Sequence, residues 1–205
     1  MKRIAVALSM SLFFTAVACS AAYGQTLDPA DRDRAAKYLE ATKKGVLDAT
    51  KGLSEAQWNF KPAPDRWSVA QVLEHIAASE DFMLGMVTEK IMKAPPRSEP
   101  ADLKAIDEMV LAKVPDRSNK VQAPEALVPT NRFGSPDAAK KHFEESRAKT
   151  AAFLQSTPDL RAHAADSPFG AKLDAYEWIL FISAHSERHT KQINEVKADP
   201  NFPKQ

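Results

Sequence analysis

Cysteine is almost missing from this chain of 205 residues: Cys19 is the only one. It lies in a stretch that reads as an export signal, with Lys2 and Arg3, an apolar run from Ile4 to Ala18, then small residues up to Gly24. This run is too short and wrongly flanked for a lasting transmembrane helix. Ala22-Tyr23-Gly24 resembles an Ala-x-Ala cleavage site, so residues 1–24 are assigned as a signal peptide and residues 25–205 as one domain of ordinary core size. A chain starting at Gln25 carries no thiol, which excludes disulfides, thiolate metal ligands and a cysteine nucleophile. The expectation is therefore an exported protein, periplasmic or secreted. The alternative is a lipoprotein anchored through Cys19, because Ala16-Val17-Ala18-Cys19 partly resembles a lipoprotein cleavage box, although Ala16 stands where Leu is usual.

An excess of charge of either sign is also missing. Loss of Lys2 and Arg3 leaves 26 basic against 27 acidic residues, which gives no basic surface for nucleic acid or for an anionic membrane. Six glycines and fourteen prolines argue against low complexity. No stretch alternates with period two over a strand's length between turn signals, and no internal repeat is present.

What is there is helical periodicity with clear punctuation. Asp28-Pro29 caps a first helix reaching about Lys51, with Ala35, Tyr38, Leu39, Thr42, Val46 and Leu47 at helical spacing. A loop with Pro62 and Pro64 follows, flanked by Trp58 and Trp67, rings expected to fold back on the core as a lid. Ser68, with Gln71 three residues later, caps a second long helix to about Lys93. A long connection contains a shorter helix within Ala101–Val114. Ser135-Pro136 opens a helix ending near Ser156, Pro158 to Lys172 is read as a loop, and Asp174 with Glu177 caps the last helix to about Val196. Four long amphipathic helices and one short one indicate an all-α four-helix bundle whose long connection carries the extra helix.

Two imidazoles stand out. His185 and His189 lie one turn apart on the stripe of Trp178, Phe181, Ile182, Gln192 and Val196, an arrangement that lets both reach one metal ion. The zincin pattern is excluded, because Ser186 occupies the place of its Glu and Glu187 points about 200° away on a helix of roughly 100° per residue. Burying two imidazoles without partners is costly, and a shared metal satisfies one nitrogen of each. His75 lies on the stripe of Ser68, Val72, Ser79, Phe82 and Met86 in the second helix, so facing helices can supply three neutral ligands and leave a coordination position open. Imidazole suits zinc, iron, nickel and copper alike. His142, on the charged run Lys140-Lys141, is expected in solvent, and His163 in a loop. Glu80 is expected to be an interhelical partner rather than a ligand.

The segment from Asp65 to Glu80, DRWSVAQVLEHIAASE, followed by Tyr176-Glu177-Trp178 and by HSERHTKQI from His185 to Ile193, resembles the DinB-like superfamily. That group includes damage-inducible proteins and the bacillithiol- and mycothiol-dependent transferases. The likeness runs from the first helix to about Val196, and rests on a Trp-Ser helix start with His seven residues after Ser, together with a late His-x-x-x-His. It implies a four-helix bundle with a crossover connection and a divalent metal, zinc, nickel, iron or manganese, held by His75, His185 and His189. It also implies a metal-dependent enzyme of thiol S-transferase or hydrolase type, acting on a small molecule, with a low-molecular-weight thiol as one partner. Export departs from the well-studied members, because a cytosolic thiol is scarce outside. The alternative is a non-catalytic periplasmic stress or small-molecule-binding protein with a structural metal. A homodimer through an exposed helix face is compatible with either.

Overall fold

The structure, a computed structural model, describes residues 26–97, 101–168 and 170–204. The signal-peptide reading and the Cys19 alternative fall outside these residues.

Four long helices form the bundle: α1 (Pro29–Ala49), α3 (Val69–Glu89), α5 (Pro136–Ser156) and α6 (Ala175–Lys197). The expected caps are in place: Asp28, Ser68, Ser135 and Asp174 each accept a backbone N–H of the first turn. Ser68–Gln71 and Asp174–Glu177 close reciprocal capping boxes. The helices are therefore punctuated by short polar side chains, and their apolar stripes decide how they pack. α1 packs on α5 and α6, and α3 packs on the same two. Consecutive α1 and α3 thus lie across a diagonal, while α3 and α6 are neighbours. That adjacency brings His75 opposite the last helix. The crossover from α3 to α5 carries α4 (Leu103–Lys113), which lies against α6.

Three details differ from the sequence reading. A five-residue helix α2 (Glu55–Asn59) stands where a loop was expected; Ser54 and Gln57 make a capping box, and Gln57 Nε2 donates to the Pro203 carbonyl at 2.9 Å. The second long helix ends at Glu89 and continues only as a 3-10 turn over Ile91–Lys93. The loop before α6 holds an antiparallel hairpin of β1 (Ala164–Asp166) and β2 (Lys172–Asp174), paired with Ala165 opposite Leu173. Strands of three residues are too short to display a period of two.

Two buried ionic centres cross the apolar core. In one, Arg147 of α5 makes a bidentate pair with Glu80 of α3 at 2.7 and 2.9 Å, and donates to the Leu39 carbonyl and Thr42 of α1 and to Ser186 of α6. All four long helices meet there. In the other, the Arg161 guanidinium stacks on Tyr176 at 4.1 Å and pairs with Asp107, Asp174 and Asp31. Glu177 stands beside this second centre, 3.2 Å from Arg97.

Burial, and then the neighbouring Asp174, push the Glu177 carboxyl up to about 8. A carboxyl raised on folding keeps a proton that the unfolded chain releases, so its stabilisation is complete in acid and is lost as pH climbs toward 8. Between pH 6 and pH 9 the wild type is therefore expected to lose several degrees of melting temperature more than Glu177→Gln. Thermal melts of both proteins across that range check this, and parallel losses would mean that Glu177 is ionised in the folded state throughout.

Candidate metal centre

α3 and α6 carry the three histidines to one point. His75 and His189 are buried, and His185 is half-buried. The Nε2 atoms of His75 and His185 are 3.3 Å apart, those of His189 and His185 are 3.1 Å apart, and a ligating nitrogen of each ring lies within 4.8 Å of the other two. The other ring nitrogens point outward. His75 Nδ1 donates to the Leu127 carbonyl at 2.9 Å, and His189 Nδ1 donates to Gln192 Oε1 at 2.8 Å. A neutral ring that spends its proton on Nδ1 turns a bare lone pair inward from Nε2.

Burial keeps these rings neutral. It lowers the His75 pKa and, joined by the other histidines, lowers that of His185 well below its ordinary value. Burial and then His75 push His189 down to about 3.

Hydrogen bonding alone does not account for this cluster. His75 and His189 already spend their protons outward, so only His185 has one to give, and it can satisfy one of its two short Nε2 contacts. The other contact then leaves a ring lone pair without a donor of its own. A shared cation satisfies both. Two imidazole nitrogens at roughly 2.0–2.1 Å from one ion stand about 2.8 to 3.4 Å apart for octahedral to tetrahedral angles, a range that includes the 3.3 and 3.1 Å separations from His185. The donor set fits a borderline divalent ion. His185 Nδ1 is buried without a hydrogen-bond partner, and its ring is fixed by stacking instead, with Phe181 at 6.3 Å between centroids.

The surroundings are aromatic and polar groups already in use. Trp67 and Trp58 pack against the core as expected, and Trp67 also packs on the His75 ring at 5.0 Å, which makes it a backing for the site. Trp58 instead takes Lys140 against its face, and Trp178 is buried against Phe181. Glu80 is committed to Arg147, as expected. Glu187 accepts from the Tyr38 hydroxyl at 2.6 Å and pairs with Lys191, away from the histidines.

His142 and His163 are not part of the cluster. His142 is not simply solvated: its Nε2 meets Asp81 and its ring packs on Phe133. His163 uses Nδ1 on the Ala94 carbonyl. Three participants escaped the sequence reading. Gln192 was visible on the histidine stripe, three residues after His189, but not its role. Glu74 accepts the backbone N–H groups of Thr130, Asn131 and Arg132, fastening the crossover beside His75. The Leu127 carbonyl comes from 52 residues away, a distance no local pattern reveals.

A bundle of four helices with three converging imidazoles on two of them is a class of helical architecture whose facing helices can hold a metal. The DinB superfamily model matches residues 38–193, and the chain belongs to that superfamily. It is 32% identical over 148 residues to the uncharacterized protein YuaE of Bacillus subtilis, a match covering 72% of this chain and 87% of YuaE. Among solved structures it is similar to YfiT from Bacillus subtilis, described as a probable metal-dependent hydrolase with an unusual four-helix bundle topology. That match has a TM-score of 0.54 and 16% identity, and covers 87% of this chain and 93% of YfiT. It is also similar to a conserved protein from Enterococcus faecalis, with a TM-score of 0.54 and 15% identity, covering 80% of this chain and 94% of the other. At these identities the two structures establish the shared fold.

Proposed function

We propose that this protein is an exported metal-dependent hydrolase whose His75, His185 and His189 hold one divalent ion with a coordination position left open. The observation that carries the reading is the inward convergence of the three Nε2 atoms, with the lone pairs of His75 and His189 fixed inward by outward Nδ1 hydrogen bonds. When bound, such an ion supplies Lewis acidity, lowering the pKa of a nucleophile in its open position and polarising the bond under attack. His75 and His189 hold their tautomers through Leu127 and Gln192. Trp67 packs on the His75 ring and Phe181 stacks on that of His185.

Among the described residues, no carboxylate joins the histidines as a ligand or general base. Glu74, Glu80 and Glu187 are engaged with the crossover, Arg147 and Tyr38 respectively. Among the described residues, activation of a nucleophile would therefore fall to an ion held by His75, His185 and His189. The described relationship of YfiT to metal-dependent hydrolysis supports this reading, as does the scarcity of cytosolic thiols for an exported protein. Thiol S-transfer is the second reading; it rests on the superfamily and on the affinity of a divalent ion for thiolate.

Assays of ester, amide and lactone hydrolysis and of S-alkylation, each with and without a low-molecular-weight thiol, separate the two. Hydrolysis independent of thiol and lost in His185→Ala is expected. Turnover appearing only with thiol would replace hydrolysis by transfer, and no metal-dependent turnover on any substrate would favour the non-catalytic alternative.

A further inference from the structure

Gln192 Oε1 accepts two hydrogen bonds. One comes from His189 Nδ1 at 2.8 Å, and the other from Arg117 Nη1, in the crossover, at 3.4 Å. Arg117 is itself clamped by Glu195, its Nε and Nη2 meeting the two carboxylate oxygens at 2.6 and 2.7 Å. The second donor matters because a glutamine amide can present either face. Its oxygen accepts, its nitrogen only donates, and the two ends have nearly the same shape. A guanidinium has no acceptor, so it can be met only by the oxygen. Arg117 therefore holds the amide with its oxygen toward both donors.

The consequence falls on His189. With the oxygen facing it, Nδ1 must carry the ring proton, and Nε2 is left bare toward His185. With the amide reversed, the Nε2 amine of Gln192 would donate to Nδ1, the ring proton would move to His189 Nε2, and that nitrogen would no longer be a ligand.

We propose that Arg117 is a positioning residue for the three-histidine centre: through the orientation of Gln192 it fixes His189 in the tautomer that binds metal. The inference rests on the metal-site reading above and adds a residue remote from the ion. It also makes the crossover part of the centre at both ends. Leu127 orients His75 from one end and Arg117 orients His189 from the other. The segment is fastened beside each ligand, by Glu74 next to His75 and by Arg188, next to His189, which donates to the Asp116 and Asn119 carbonyls.

The test uses the full chain, with Co(II) or Zn(II) alone as the probe and a chelator competition as readout, beside nitrogen NMR of the metal-free protein to read the His189 tautomer. Arg117→Met is expected to weaken metal binding roughly tenfold and Gln192→Leu roughly 10- to 100-fold, the range seen when a partner of a ligating histidine is removed. The metal-free Arg117→Met protein is expected to show His189 as a tautomer mixture, where the wild type shows Nδ1–H alone. The decisive variant is the double replacement Arg117→Met with Gln192→Glu. A carboxylate presents an acceptor whichever way it turns, so affinity and tautomer should return to wild-type values without the arginine. A merely structural role for Arg117 in anchoring the crossover predicts no such rescue.

The proposal is overturned if Arg117→Met binds metal like the wild type with His189 unchanged, or if the double variant remains as weak as Arg117→Met. If the wild type itself binds no metal, the metal-site reading fails instead, and the tautomer spectra still decide whether Arg117 orients His189.

Discussion

Arg147→Met is expected to cost about 3–5 kcal/mol of folding stability, the range for removing one partner of a buried ion pair. The methionine fills much of the volume, but it leaves the Glu80 carboxylate without its cation in the centre of the bundle. Glu80 and Arg147 are only 1% and 2% exposed, so water cannot take over. The guanidinium also satisfies the Leu39 carbonyl, Thr42 and Ser186, so its loss unties α1, α3 and α6 together. Against a usual total of about 5–15 kcal/mol, this is a large fraction. Adding Glu80→Leu is expected to recover part of the loss, since an apolar pair removes the stranded charge. Urea denaturation of the wild type, the single variants and the double variant measures this. A single variant within 1 kcal/mol of the wild type would show that the centre contributes little.

Removal of metal has the second large effect. An ion present at about a thousand times its dissociation constant stabilises the folded state by about 4 kcal/mol, and for a domain of this size each kcal/mol moves the melting temperature by roughly 2–4 °C. Chelation should therefore lower the melting temperature of metal-loaded protein by about 8–16 °C. His189→Ala should melt at one temperature with or without chelator. The contrast separates the centre from adventitious surface binding, which a chelator removes without a comparable shift.

The helical plan was legible because its signals are local. Asp28-Pro29, Ser68 with Gln71, Ser135-Pro136 and Asp174 with Glu177 each place a helix start within a few residues, and those starts are observed. Ser54 and Gln57 carry the same signature, yet a five-residue helix has too little periodicity behind its cap to be read from pattern. The three-residue strands β1 and β2 likewise carry too little pattern. For the site, the spacing of His185 and His189 and the stripe of His75 pointed to the three rings, and the resemblance to the superfamily selected them. What the sequence does not hold is their outward partners. The Leu127 carbonyl belongs to a backbone whose position depends on how the crossover lies across α3, and Arg117 reaches Gln192 from 75 residues away. Such contacts follow from packing, after the helices have been placed. His142 shows the converse: a charged local run suggested solvent, and the packing of α5 on α3 supplied Asp81 and Phe133 instead.

The account stands on one ion shared by three imidazoles from two helices. The most direct measurement is the metal content of purified protein after saturation with Co(II) and removal of excess, followed by its visible absorption, for the wild type and for His75→Ala, His185→Ala and His189→Ala. One ion per wild-type chain is predicted, with the spectrum of a nitrogen-ligated site, and near-zero content in each variant. Full occupancy in the three variants, with an unchanged spectrum, would contradict it.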